Sequence, residues 1–296
     1  MTLSGVGIWS TQLRGKDKGE VGAVAAELES LGYTSMWIPG GQAGPIFDDA
    51  RALLAATQHM TVATGIMSLW TQSAAEAASG YAALATDFPG RFVLGIGASH
   101  AVLVDRDAPG RYQRPLTAMR AYLDELDHED PPVPVSGRML AALGPRMLAL
   151  ARDRSAGAHP YFVSPEHTRV ARDVLGPGPI LAPEQSVVLA SDRATALAGA
   201  HEHIARYVAT PNYMANLRRL GFTDDDFADG GSDRVADTIV AAGDETLIAA
   251  RVAEHFAAGA THVCIQVAPM YAYLPGTPFP LDTWRRLAPA LVGLGA

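Results

Sequence analysis

The sequence predicts an α/β protein folded as a (β/α)8 (TIM-type) barrel. Three observations carry that expectation. Short apolar runs alternate with helix-like segments almost throughout, giving eight strand–helix pairs. The chain has 296 residues and is 48% hydrophobic, enough for one barrel-sized core. Residues 90–100, Gly-Arg-Phe-Val-Leu-Gly-Ile-Gly-Ala-Ser-His, read as a tight break, a buried strand and a polar mouth. The barrel is expected to span residues 1–296 as one domain, with a helical excursion at 208–260 before the last strand.

The elements follow in order. Val6–Trp9 is a short apolar run, and Val21–Leu31 has helical spacing closed by Gly32. Met36–Ile38 is the second strand, and Asp48–Gln58 is a helix with an acidic first turn. Thr61–Met67 is β-branched and apolar, the third strand. Ser73 and Glu76 have capping-box spacing ahead of a helix reaching Phe88. Phe92–Ile96 is the fourth strand. Arg114-Pro115 opens a helix to about Leu126, and Met139–Leu143 is the fifth strand. Gly144-Pro145 turns into a helix ending near Arg154. Tyr161–Val163 is the sixth strand, and Ser164-Pro165 caps and starts the next helix. Val187–Ala190, a helix over Thr195–Tyr207, Thr261–Val267 and Asp282–Leu294 complete the pattern. Within the excursion, two helices are expected around Val235 and Ile248.

In a barrel the C-terminal strand ends carry the site. Gly95 and Gly97 remove side chains there, so another molecule can approach the backbone, and Ser99 and His100 follow as polar groups. Trp9, Trp37 and Trp70, with Met67, would wall a flat heterocycle. Gly65-Ile66 ends the third strand. Gly144 leads a helix whose free N–H groups could hold a phosphate, and Ser164 and Thr168 flank another such start. Each of these also reads as an ordinary turn or cap.

Other chemistries fit less well. Gly97-Ala-Ser99-His-Ala101 approaches a nucleophile elbow, which would need an acid and a histidine such as Asp192 with His255 or His262. His201-Glu202-His203 cannot converge on a metal from one helix, so solvent-facing histidines are expected. Gly95-x-Gly97-x-x-His100 lacks the third glycine of a dinucleotide fingerprint. Asp224-Asp225-Asp226 reads as a solvated helix start. Cys264 is the one cysteine, so there is no internal disulfide and no multi-cysteine zinc site. A net charge of −8 without a basic run argues against nucleic-acid binding. The absence of a signal peptide or a long apolar run predicts a cytoplasmic protein that does not bind membranes.

Several strings together resemble a known family. They are Glu29–Pro39, Thr64-Gly-Ile66, Pro89–Gly97, Arg114–Met119, Ala141–Pro145 and Gly157-Ala-His-Pro160. The chain resembles the luciferase-like monooxygenase superfamily, and within it the actinobacterial oxidoreductases that use the deazaflavin coenzyme F420. The resemblance implies a cis peptide at Gly65–Ile66 behind a flavin-type ring. It also implies phosphate contacts at Ala98, Ser99, Leu143 and Gly144. Trp9, Trp37, Gly40 and Gly97 are further candidate cofactor contacts. The family's sugar dehydrogenase has acidic and histidine groups at positions that are Gly40, Gly41 and His100 here. Sugar dehydrogenase activity is therefore not expected, and His100 is left as the candidate for proton transfer. The expected function is F420-dependent hydride transfer to or from a small organic molecule. An FMN-dependent monooxygenase, a cofactor-binding barrel without turnover, and a Ser99 hydrolase are the alternatives, and a homodimer is left open.

Overall fold

The computed structural model describes residues 3–15, 17–40, 45–268 and 279–295. The first half runs β1 (Gly5–Trp9), α1 (Lys18–Ser30), β2 (Ser35–Ile38), α2 (Ile46–Ala55), β3 (Thr61–Thr64), β4 (Met67–Ser68), α3 (Ala74–Asp87) and β5 (Phe92–Gly97). Next come α4 (Ala101–Asp107), α5 (Pro115–His128), β6 (Arg138–Leu140), α6 (Pro145–Arg154), β7 (Gly157–Ala158), α7 (Pro165–Leu175), β8 (Ile180–Leu181) and β9 (Glu184–Leu189). The remainder is α8 (Arg193–Ile204), α9 (Pro211–Arg219), α10 (Asp233–Ile239), β10 (Val240–Gly243), α11 (Glu245–Ala257), β11 (His262–Val267) and α12 (Leu281–Leu291).

Local chemistry sets many of these boundaries. Ser73 accepts from Glu76 N while the Glu76 carboxylate accepts from Ser73 N, so two free donors at the α3 start are satisfied reciprocally. Ser164 caps α7 with Pro165 at its first position, and Pro115 opens α5.

Every strand pairing among the described residues is parallel. The order β10-β9-β11-β1-β2-β3-β5-β6-β7-β8 curls the predicted sheet into a barrel wall, with β4 beside β5. One segment, residues 180–189, joins its two ends. Ile180, Ala182 and Glu184 donate their N–H to the carbonyls of Ala156, Ala158 and Pro160, and Leu181 and Pro183 accept from Thr261 and Cys264. Alternation along the strands divides the core in two. Val6, Ile8, Met36, Ile38 and Leu94 face the helices. Trp9, Trp37, Ala63, Val93, Met139, Ala182 and Cys264 fill the interior.

Several expectations need correction. The third strand is interrupted at Gly65–Ile66, where the peptide bond is cis, as the resemblance implies. The sixth strand is Gly157–Ala158 and not Tyr161–Val163. Phe162 has a φ of 59°, which a strand does not allow. Its apolar side chain belongs to a second core formed with Ile204, Tyr213, Leu217, Val235 and Ile239. The excursion is not purely helical, because β10 pairs with β9 over Val240–Gly243. α4 was not foreseen.

The glycines of the β5 stretch also have a different purpose from the one expected. A Cβ on Gly95 would lie 1.9 Å from Thr64 O, and one on Gly97 would lie 2.4 Å from Ile66 Cδ1. The molecule approaching this backbone is the chain's own β3 turn. Gly40 is similar, with a Cβ falling 2.5 Å from Ile66 O, while its N–H donates to that oxygen at 3.0 Å.

Gly95→Ala is expected to cost about 3 kcal/mol or more, since a backbone carbonyl must move. Gly178→Ala meets nothing within 4 Å and should stay within about 0.5 kcal/mol of wild type. Urea unfolding of the two variants tests this, and a mild Gly95→Ala would contradict it.

Five buried histidines have depressed pKa values through burial: His159, His167 and His262 to about 4, and His203 and His255 to about 3. They stay neutral in the folded protein but take up protons below about pH 6.5 once unfolded. Their stability contribution is therefore present above pH 6.5 and lost as pH falls. Burial raises the Glu184 carboxyl to about 7, so it releases one proton on unfolding and opposes them. The balance, five less one, gives a slope approaching about 5 kcal/mol per pH unit below pH 6. Urea melts at pH 7.5, 6.5 and 5.5 should show a steep loss, and equal stability at the three would contradict it.

Candidate active site at the barrel mouth

The ends of β1, β3, β5 and β7 meet the inner face of β11 at one mouth. Trp9, the last residue of β1, donates its indole N–H to Gly65 O at 2.9 Å. Its ring lies 5.3 Å from that of Tyr161, which follows β7. The Tyr161 hydroxyl donates to Gln266 Oε1 on β11 at 2.8 Å and lies 2.8 Å from the Tyr207 hydroxyl. Trp70 reaches over to Ala98 O at 2.6 Å.

After β5, Ser99 has a φ of 57°, a left-handed turn that leads into α4. Its carbonyl faces the Tyr112 hydroxyl at 3.4 Å and Asn212 Nδ2 at 3.5 Å. His100 precedes α4 without capping it through its side chain. Its Nδ1 is 3.4 Å from Asn212 Nδ2, and its ring is 4.9 Å from that of Tyr213. Burial lowers the His100 pKa, so the imidazole is neutral at pH 7.

Asn212 and Tyr213 belong to α9, inside the excursion. Asn212, Asn216 and Arg219 are spaced four and three residues apart, which aligns them on one helix face. Asn212 meets the turn after β5. At the other end, Arg219 Nη2 would lie 3.7 Å from a Cβ on Gly144, and it donates to Asn216 Oδ1 at 2.9 Å. α9 thus bridges the turn after β5 and the start of α6. Among the described residues Arg219 has no carboxylate within ion-pair distance. Gly144 stands at the N-terminus of α6, where free N–H groups and the helix dipole favour an anion. Beside it, His167 Nε2 lies 2.9 Å from Leu143 O, and His167 Nδ1 and Asn216 Nδ2 are buried without partners. The sequence reading missed this stripe. Its signal was Asn-x3-Asn-x2-Arg in a segment with Pro211 at its start.

The structure sorts the expected residues. Trp9, Gly65, Ile66, Ala98, Ser99 and His100 gather around the mouth, and Leu143 and Gly144 stand beside Arg219. Gly40 and Gly97 lie against the Ile66 turn. Trp37 is not a wall of the mouth. It is fully buried, stacked 4.2 Å from His159, and donates to Ser35 Oγ at 3.0 Å, so it fills the barrel interior. Thr168 is fully buried and lies 2.8 Å from His255 Nδ1, tying α7 to α11. Ser164 is buried and caps α7. Gly41 lies outside the described residues. His203 is not solvent-facing: it is buried 2.8 Å from Ser186 Oγ, while His201 pairs with Asp233 at the surface.

Among the described residues the candidate hydrolase partners do not assemble around Ser99. Asp192 caps α8, His255 is held by Thr168 and Gln185, and His262 is held by Ser35 inside the barrel. Among the described residues no cluster of His, Cys, Asp or Glu is arranged to hold a metal, and no helix is long and apolar enough to cross a membrane.

Comparison with known proteins shows what the chain is similar to. The luciferase-like monooxygenase model matches residues 1–128. No curated protein sequence matches the chain. Solved structures resemble it along its length. One is an F420-dependent secondary alcohol dehydrogenase bound to an F420-acetone adduct, at 14% identity and TM-score 0.72, covering 98% of this chain and 99% of that one. Another is the coenzyme F420-dependent tetrahydromethanopterin reductase of Methanopyrus kandleri, at 16% identity and TM-score 0.75, covering 99% of each. A third is the oxygenating constituent of 3,6-diketocamphane monooxygenase from Pseudomonas putida, bound to FMN, at 16% identity and TM-score 0.65, covering 98% of each. At these identities the likeness is one of fold. The resemblance to luciferase-like monooxygenases read from the sequence is borne out over residues 1–128, and the whole chain shares the fold of these F420- and FMN-linked proteins.

Proposed function

We propose that the protein is an oxidoreductase that uses coenzyme F420 to move a hydride to or from a small organic substrate. The observation that carries this reading is the α9 stripe. It sets an arginine without a carboxylate partner beside the N-terminus of α6, next to two unpartnered buried polar atoms. Such an end suits a phosphate-bearing tail. The other end of the mouth is neutral and ring-lined, which suits a flat heterocycle and an organic substrate. FMN also ends in a phosphate and is the alternative.

The bound deazaflavin would supply the hydride chemistry. The chain's own residues do the rest. Gly144, Leu143 and Arg219 would hold the tail, with Ala98 and Ser99 on the adjoining turn. Trp9 and the Gly65–Ile66 turn would back the ring. His100, kept neutral by burial, is the candidate to hold or move a proton at its imidazole nitrogen.

Fluorescence titration of the purified protein with both cofactors tests the assignment. F420 is expected to bind appreciably tighter than FMN, and Arg219→Gln to weaken F420 about tenfold or more, the range for a lost charged hydrogen bond. Micromolar FMN binding without F420 binding would overturn it.

If His100 transfers a proton, His100→Ala should slow single turnover about 10²-fold or more with little change in cofactor affinity. An unchanged single-turnover rate with weakened cofactor binding would instead assign His100 to the binding apparatus.

A further inference from the structure

Two buried polar atoms without partners line one crevice between the ends of β1 and β11. They are Thr11 Oγ1 and Trp284 Nε1, and the crevice is also lined by Trp9, Gln12 and Gln266. Thr11 is 5% exposed and Trp284 1%, so both groups are cut off from bulk water. A buried N–H or O–H left unpaired costs free energy comparable to a lost hydrogen bond. An indole N–H can only donate, and a hydroxyl can donate. The group that satisfies both is an acceptor oxygen.

The crevice continues into the mouth. Gln266 lines it and accepts from the Tyr161 hydroxyl at 2.8 Å, and Tyr161 in turn meets the Tyr207 hydroxyl at 2.8 Å. Trp9 lines it too, and its ring is packed 5.3 Å from Tyr161. The crevice is narrow, roughly the size for one polar group. Trp9 packs on Tyr161, and Tyr161 packs 6.1 Å from Tyr213, so rings connect the crevice to the mouth. The polar groups that line it or connect to it are uncharged. Charge stands at the other end of the mouth, on Arg219.

We infer that this crevice is the oxygen-binding subsite for the substrate: it takes the carbonyl or hydroxyl oxygen of an uncharged aromatic or alicyclic molecule, whose apolar body lies on the Trp9–Tyr161 surface. Thr11 and Trp284 donate to that oxygen, and Tyr161, held by Gln266 and Tyr207, fixes the approach. This rests on the reading of the mouth as a substrate site, but not on which cofactor binds there.

Calorimetric titration of the cofactor-free protein with acetophenone and with ethylbenzene tests it. The two probes share a ring and differ in the oxygen. Wild type is expected to bind acetophenone about tenfold tighter or more. Thr11→Val and Tyr161→Phe, both close in shape to the originals, are expected to reduce that ratio to about twofold, and Gly178→Ala to keep it. Circular dichroism confirms that each variant is folded, and the two variants stand in for each other if one is not. Equal binding of the probes by wild type, failure of both to bind, or a preference that survives in both variants would overturn the subsite. Because no cofactor is present, loss of the F420 assignment would leave this result standing, and the reverse also holds.

Discussion

The mouth depends on a contact between two stretches of backbone. The carbonyl of Thr64 occupies the place where a side chain on Gly95 would begin, and the Ile66 side chain occupies that of Gly97. The turn after β3 can therefore lie flat against β5. Its other groups are then fixed in turn. Gly65 O is presented to the Trp9 indole, and Ile66 O to Gly40 N. Trp9 in turn sets the ring of Tyr161. A packed interior cannot absorb a methyl group at this point without moving a carbonyl, so the rim of the barrel inherits its shape from the missing side chains of Gly95 and Gly97.

Much of the fold was legible because its signals are local. Caps such as Ser73 with Glu76, and Ser164 with Pro165, act through neighbours three residues apart or fewer, and periodicity exposes the face a strand or helix buries. The failures are places where tertiary packing decides. Tyr161–Val163 is apolar enough for a strand, yet Phe162 is apolar because a second core lies beyond the barrel. The strand itself is Gly157–Ala158, two small residues whose pairing is set by what flanks them. Trp37 and Trp9 look alike in sequence. They are even register partners on β1 and β2, yet Trp37 stacks on His159 in the interior while Trp9 reaches Gly65 O and Tyr161 at the mouth, contacts that sequence does not show. Gly95 and Gly97 were correctly seen as a close approach, but sequence does not say which molecule approaches. The α9 stripe was missed because its partners, Ser99 and Gly144, are distant in the chain.

Polar groups in this protein are arranged by whether water reaches them. The buried histidines are held in uncharged forms: His159 on Ala182 O, His203 on Ser186, and His262 on Ser35. Glu184, between Ser186 and Phe162 N, is raised by burial toward neutrality as well. Ionised pairs such as Arg285 with Glu27 and Arg286 with Glu245 lie at the surface, where desolvation is small, whereas Arg14 with Asp49 is a buried pair and Arg138 is buried against a half-exposed Asp127. The mouth lies between these regimes, with neutral hydroxyls and amides at one side and a guanidinium at the other.

The family match ends at residue 128, before β6, yet α9 and Tyr161 come after it. The rigid seat built from β1 to β5 and the parts that close over it are thus separate stretches of one polypeptide. They meet through the pairing of β1 with β11 and of β5 with β6, through a shared apolar core, and at the mouth through contacts of Asn212, Tyr213 and Tyr161. The same division gives natural variation a simple path, since insertions between β9 and β11 alter what reaches the mouth while leaving its floor untouched.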